Sequence, residues 1–271
     1  MDKNLIKLSL KDRSFNHCLY SNNPLPPTSF AKYIEWDRET INESTIYTDY
    51  CINEAPAGTI VWLIEPQDLI PNIYNEVKLN ANKYKRIWTH DIDILTQHSN
   101  AAFVPLGGCW IKEEDRKIYE KTKNFSIIAS GKRQLRGHQI RHEIISSSGK
   151  NIDVYGNGYN PIPYKLEGLQ SYRYHFAIEN CKKDYWFTEK LIDCLQTGTI
   201  PIYWGCPSIF NFFNKEGFIV FEDLLDLKQK LKQCTPEYYI SKLDAIKENF
   251  ELSKKFILAE DWIYKNELHI A

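Results

Sequence analysis

The sequence predicts an α/β protein of two Rossmann-like domains, each a parallel sheet flanked by helices, and three observations carry that reading. Short continuous runs of β-branched and aromatic residues alternate with stretches of helical spacing, the pattern of a parallel sheet wound with helices. The 271 residues exceed a comfortable single core but suit two domains of about 100–150 residues, which implies a cleft between them. A hydrophobic share of 43%, with 17 Tyr, 13 Phe and 7 Trp, supplies enough apolar surface for two cores and argues against disorder.

Each strand-like run ends in a turn signal. Thr59 to Ile64 (TIVWLI) reads as a buried strand stopped at Glu65-Pro66, and Arg86 to Thr89 and Ala102 to Pro105 follow in the same sheet, the latter running into Gly107-Gly108. The polar stretch Lys112 to Lys123 predicts a linker helix. Beyond it, Phe125 to Ala129 breaks at Ser130-Gly131 before a helix near His138 to Ser146. Ile152 to Tyr155 stops at Gly156-Asn157-Gly158, and Tyr174 to Ile178 ends at Glu179-Asn180. Thr188 is placed to cap a helix that carries Glu189 and Lys190 in its first turn and stops at Gly198, after which Ile200 to Trp204 returns as a strand. From Ser241 the spacing is helical, with Phe250, Leu252, Phe256, Ile257 and Trp262 among the apolar positions, and packing back across the first domain would cover them. The expected division is a first domain over residues 1–121, a second over 122–250, and a helical segment, 251–271, that crosses back to the first.

Charge narrows the function classes. Thirty-four Lys and Arg nearly cancel 35 Asp and Glu, so the chain lacks the basic excess of a nucleic-acid or anionic-membrane binder, and any phosphate site must be local. No stretch approaches the roughly 20 apolar residues that span a bilayer, and the start MDKNLIKLSLKDR has no apolar signal core. A soluble, cytoplasmic protein with no membrane-spanning segment is expected. Cysteines at 18, 51, 109, 181, 194, 206 and 234 form no CxxC pair and are odd in number, which points to buried free thiols in a reducing compartment. The seven histidines include no HExxH, and the Asp-x-Asp spacing within THDID (Thr89 to Asp93) is incidental, so no metal is expected.

The densest chemistry lies from Glu179 to Pro207, where polar groups at a strand's carboxyl end precede a helix start, the usual ligand position in open α/β sheets. A helix N-terminus offers unpaired N–H groups and partial positive charge, Lys190 adds a full charge, and together they suit a diphosphate. Glu189 repels phosphate but accepts hydrogen bonds from a ribose diol. Spacing alone is met more ordinarily by two first-turn charges on a solvated helix.

The run ENCKKDYWFTEKLIDCLQTGTIPIYWGCPSI (Glu179 to Ile209) resembles the donor-binding signature of alpha-1,3-fucosyltransferases: a phenylalanine-glutamate-asparagine triplet, a tyrosine-x-threonine-glutamate-lysine block, then a small-residue strand and turn. Upstream, IIASGKRQLRGHQIRHEI and NIDVYGNG resemble that family's strand, serine turn, arginine-bearing helix and following strand. In the first domain the resemblance rests on Glu65-Pro66 and YKRIWTHDIDI. It implies the GT-B fold of two facing Rossmann-like domains, and transfer of L-fucose from GDP-fucose to a glycan hydroxyl with inversion. It further implies that Asn180, Lys190 and Arg141 hold the diphosphate, Glu189 binds the ribose, and Tyr185 and Trp186 stand on the donor side, the nucleotide sugar being a co-substrate with no other cofactor. Two positions depart from the family: Trp186 stands where it has tyrosine, with Tyr185 one place earlier, and Ile178 replaces its phenylalanine.

Inverting transfer needs a base for the acceptor proton. Glu65, closing a buried strand before a stiffening proline, matches the family's acidic loop residue, and Asp49, Asp91 and Asp93 stand next. Arg133 and Arg136 lie close enough to replace Arg141. Trp62, Trp110 and Trp204 suit either a sugar-stacking platform or, more ordinarily, the core. Two other functions fit the same motifs: transfer of a different nucleotide sugar, and a catalytically inactive protein that binds nucleotide sugar or glycan.

Overall fold

The computed structural model describes residues 5–13, 31–147 and 151–268. The chain divides into two compact units. The first holds the described residues up to Gly108, the short stretch Lys183–Trp186 and the chain from Leu258; the second holds Cys109–Lys182 and Phe187–Ile257.

The first unit is a six-stranded sheet of β1 (Ile6–Lys11), β2 (Ile34–Asp37), β3 (Ile46–Thr48), β4 (Ile60–Trp62), β5 (Arg86–Thr89) and β6 (Ala101–Phe103). Its order is β2-β1-β3-β4-β5-β6, with every neighbouring pair parallel. The period-two geometry of a strand divides the TIVWLI run between two cores. Val61 and Leu63 face a cluster with Ile73, Tyr74 and Val77 of helix α1 (Pro71–Leu79), whereas Trp62 and Ile64 join Trp36, Trp88 and Ile263 on the opposite face. Helix α2 (Ile92–Gln97) begins at Asp91, whose carboxylate accepts the Ile94 N–H at 3.0 Å. The C-terminal segment is tied to this sheet by two carboxylates that each accept an indole N–H: Glu260 from Trp36 and Glu267 from Trp88, both at 3.0 Å. Arg86 adds a two-pronged bond to Glu267.

In the second unit five parallel strands, β7 (Lys123–Ile128), β8 (Asp153–Tyr155), β9 (Tyr172–Ile178), β10 (Ile200–Trp204) and β11 (Ile219–Val220), take the order β11-β10-β9-β7-β8. Helices α3 (Arg136–Ser147), α4 (Glu189–Leu195), α5 (Leu224–Lys230), α6 (Pro236–Ser241) and α7 (Leu243–Ser253) complete it. Ile140 and Ile144 of α3, Tyr174, Phe176 and Ile178 of β9, and Ile246 of α7 share one core with Ile202. Counted along the unit, the strand order is 2-1-3-4-5, a doubly wound sheet whose order reverses between β7 and β9. The crevice outside the carboxyl ends of those two strands is where such sheets bind ligands.

All seven expected strands are present, with ends within two residues of the expectation. Three expectations are corrected. Lys112 to Lys123 forms no linker helix beyond a single turn at Glu113–Asp115. Its ends are pinned instead, Ile111 being fully buried while Lys121 Nζ donates to Leu169 O, Gln170 O, Thr197 O and Thr199 Oγ1 at 2.8–3.2 Å. These bonds bind the stretch to the second unit, so the boundary falls just after Gly107-Gly108 rather than at residue 121. At the other end α7 belongs to the second unit, and the chain returns to the first at Leu258 rather than at 251. Among the described residues no helix is long and apolar enough to cross a membrane. Six cysteines are buried free thiols, and Cys18 lies outside the described residues.

Candidate functional site

The second unit contains a cavity of about 310 Å³ at its switch point. Ala129 and Ser130 after β7, Gly156 and Asn157 after β8, and Asn180 after β9 form its rim; α3 contributes His138 and Arg141, α4 contributes Glu189, Lys190 and Asp193, and Lys165 and Trp110 close it.

Close approach of α3 to the end of β9 builds one wall. A Cβ at Gly137 would lie 1.7 Å from the Glu179 carbonyl oxygen, so only glycine admits this contact, and the Gly137 N–H donates to Asn180 O at 3.0 Å. One turn along, Arg141, only 6% exposed, donates from Nε (3.2 Å) and Nη2 to Ile178 O, and from Nη2 to Asn180 Oδ1 at 3.1 Å. A guanidinium has no acceptor, so the Asn180 amide must present its oxygen to Arg141 and its NH₂ elsewhere. Burial lowers the Arg141 pKa, partly countered by Glu179 and Glu189.

A carboxylate builds the opposite wall. Glu179, fully buried, accepts the Thr188 N–H at 2.8 Å and its hydroxyl at 2.7 Å, which fixes the N-cap of α4 to the end of β9. The positive end of that seven-residue helix is thus already matched by an internal carboxylate, and side chains rather than amide dipoles are what α4 offers a ligand. Lys190 Nζ reaches Thr188 Oγ1 at 3.1 Å and Glu189 Oε1 at 3.2 Å. Lys165 bridges Glu189 Oε1 (3.4 Å) and Asp193 Oδ2 (3.0 Å) while lying 3.9 Å over the Trp110 ring. Burial alone would raise the Glu189 pKa, but Lys190 and Lys165 outweigh it and hold the group at about 2, ionised throughout the neutral range. Lys132, Arg141, Lys165 and Lys190 face Glu189 and Asp193, a formal surplus of two positive charges in a chain of net charge −1.

Two buried histidines complete the lining. Ser126 Oγ donates to Gly168 O at 2.6 Å and contacts His175 Nδ1 at 2.8 Å, so that nitrogen carries the proton and Nε2 is an acceptor. Burial, then Lys165, lowers the His175 pKa to about 3.

Arg141, Asn180, Glu189 and Lys190 therefore meet in one cavity. Tyr185, Trp186 and Glu65 belong to the first unit. Trp186, 2% exposed, packs against His90 with ring centroids 6.3 Å apart, and Tyr185 meets Phe103 edge-on with a left-handed φ of 60°. Glu65 follows β4, its N–H donating to Asp49 Oδ1 at 3.3 Å and its carbonyl accepting from the Tyr74 hydroxyl. Asp49 sits after β3, beside the switch point of its own sheet, 1% exposed with φ of 42°; burial raises its pKa to about 8, and Oδ2 has no partner among the described residues. Asp91 is a helix cap and Asp93 pairs with Lys78. Arg136 pairs with Glu143, Trp62 and Trp204 are core, and Trp110 is the tryptophan that lines the cavity. The sequence reading assigned no role to Lys165, Asp193, His138, His175 or Glu179. Only the last carried a signal, as the partner of Asn180 in the Glu-Asn pair.

Residues 118–251 match the model of glycosyltransferase family 10 (fucosyltransferase), C-term. The chain is 36% identical over 74 residues to alpha-(1,3)-fucosyltransferase FucT of Helicobacter pylori, a stretch that is 27% of this chain and 15% of that protein. It is 34% identical over 96 residues to 3-galactosyl-N-acetylglucosaminide 4-alpha-L-fucosyltransferase FUT3 of Bos taurus, covering 32% of this chain and 26% of that one. The matched stretches thus span about a quarter or less of these curated relatives. A solved alpha1,3-fucosyltransferase with GDP-fucose aligns with a TM-score of 0.58 over 93% of this chain and 90% of that chain at 17% identity. An alpha1,3-fucosyltransferase with GDP aligns at 0.57, covering 96% and 94% at 16% identity. The likeness establishes the fold, the GT-B class of two parallel-sheet α/β domains.

Proposed function

We propose that this chain, a member of glycosyltransferase family 10 over residues 118–251, transfers L-fucose from GDP-fucose to a hydroxyl of a glycan acceptor with inversion at the anomeric carbon. The observation that carries the reading is the convergence of Arg141, Asn180, Glu189 and Lys190 on one cavity at the switch point of a doubly wound sheet. Lys190 and the free NH₂ of Asn180 take the diphosphate. Arg141 orients Asn180 and adds its Nη1, which makes no hydrogen bond among the described residues. Ionised Glu189 takes the ribose diol.

In the reaction the acceptor oxygen forms the new bond to the anomeric carbon as the bond to the phosphate oxygen breaks. The leaving electron pair goes to the diphosphate, whose charge Lys190 and Arg141 neutralise without a metal. The acceptor proton goes to a carboxylate, for which Glu65 is the assignment. A cytoplasmic setting suits the six buried thiols.

The test is turnover of GDP-fucose by wild type and Glu65→Gln, with GDP binding followed by calorimetry. Loss of turnover with GDP binding intact supports the assignment. Wild-type protein that binds GDP yet never turns over a GDP-sugar supports an inactive binding protein instead, and preference for another nucleotide over GDP moves the reading to another donor.

A further inference from the structure

Two buried histidines line the cavity, and neither has a part in the reaction above. We propose that His138 is a direct ligand of the donor's diphosphate, its Nε2–H donating to a phosphate oxygen beside Arg141 and Lys190; the proposal rests on the nucleotide-sugar reading above.

The geometry fixes what the ring can offer. His138 lies in the first turn of α3, 7% exposed, and its Nδ1 accepts the Leu135 N–H at 3.2 Å. A neutral imidazole that accepts at Nδ1 carries its single proton on Nε2. The ring lines the cavity, and Nε2 makes no hydrogen bond with any described residue. That N–H therefore opens on the cavity, where an acceptor brought by a ligand can take it.

The surroundings specify the acceptor. Burial and then the nearby Arg141, Lys132, Lys190 and His142 lower the ring's pKa to about 4, so at neutral pH it is an uncharged donor among cations. The lining cations attract an anion, and the neutral ring adds a directed bond without adding to their mutual repulsion. The Leu135 bond acts as the ring's orienting support, as a helix-end cap fixes a side chain.

The experiment is calorimetric titration of wild type, His138→Leu and His138→Gln with GDP, UDP, inorganic pyrophosphate and guanosine, after thermal unfolding has shown the variants folded. His138→Leu is expected to weaken GDP and pyrophosphate by about tenfold and leave guanosine unchanged. His138→Gln, whose side-chain amide donates over a similar reach, is expected to recover most of the loss. His138→Leu binding GDP as wild type does, or losing guanosine to the same degree, overturns the proposal while the donor reading stands. Wild type that binds neither nucleoside diphosphate nor pyrophosphate overturns both.

Discussion

Replacing Gly137 with alanine tests the wall on which the site is built. The added Cβ would fall 1.7 Å from Glu179 O, and 2.8 Å from both Glu179 C and Asn180 O. All three atoms are backbone, so no side-chain rotation relieves the clash. A normal C···O contact is about 3.3–3.6 Å, so α3 must withdraw by roughly 1.6–1.9 Å, and the 3.0 Å bond from Gly137 N–H to Asn180 O is lost. Overpacking of this kind costs about 1–3 kcal/mol and the hydrogen bond about 1, offset by about 1 for the better helix propensity of alanine. The net is about 1–3 kcal/mol, or about 3–10 °C in Tm for a domain of ~150 residues. Because Arg141 rides on the same helix and bonds Asn180 at 3.1 Å, GDP affinity falls with it, by about tenfold or more. Differential scanning calorimetry and GDP titration read the two effects. Gly131→Ala, where a Cβ meets nothing within 4 Å, is the control. A Gly137→Ala protein as stable as that control, with unchanged GDP affinity, refutes the argument.

Lys190→Ala is expected to weaken GDP binding about 10- to 100-fold by calorimetry, the range for a lost charge-assisted bond of ~1.5–3 kcal/mol. Lys121→Met strands four oxygens around Nζ and should cost about 3–5 kcal/mol in urea unfolding, while a change under ~1 kcal/mol removes Lys121 as the clamp of its stretch. Asp49 supplies a pH test. Its folded pKa of about 8 lies above the ordinary 3.8, so the native state binds a proton the unfolded chain has released, and this contribution to stability is complete below about pH 4 and lost as pH rises through 8. Asp49→Asn keeps the acceptor for Ile64 and Glu65 N–H and tolerates the left-handed φ. Urea unfolding should therefore place the variant near wild type at pH 5 and several kcal/mol above it at pH 8.5, whereas equal differences at both values contradict the linkage.

What the sequence disclosed follows from how local each feature is. TIVWLI and IPIYW are continuous β-branched and aromatic runs, and they became β4 and β10. β1, IKLSLK, mixes lysines with its buried Leu10 and exposes its first two residues, so no run stands out. β3 and β11, of three and two residues, are too short to leave a pattern. Lys112 to Lys123 has the composition of a charged helix, but Lys121 answers to oxygens from Leu169 to Thr199, distant in sequence. The site divides along the same line. Asn180, Glu189 and Lys190 lie on one short motif and could be read together. Lys165 and Asp193 become a pair only once the fold places a loop against α4, and His138 becomes a donor only once Leu135 has claimed its other nitrogen. Trp186 is three residues from Glu189, yet its side chain packs against His90 within the first unit, a pairing that no local pattern shows.

That brief excursion of Lys183–Trp186 makes the molecule poorly divisible. The backbone changes allegiance four times, and one visit lasts only four residues, wedged between Asn180 and Thr188. An excised fragment from Cys109 to Ile257 would carry those four residues with no host, laying a nearly enclosed indole open to water. Such a fragment invites self-association, and swapping nucleotide-binding halves between relatives calls for transplanting the matching cradle around His90 and Phe103 as well.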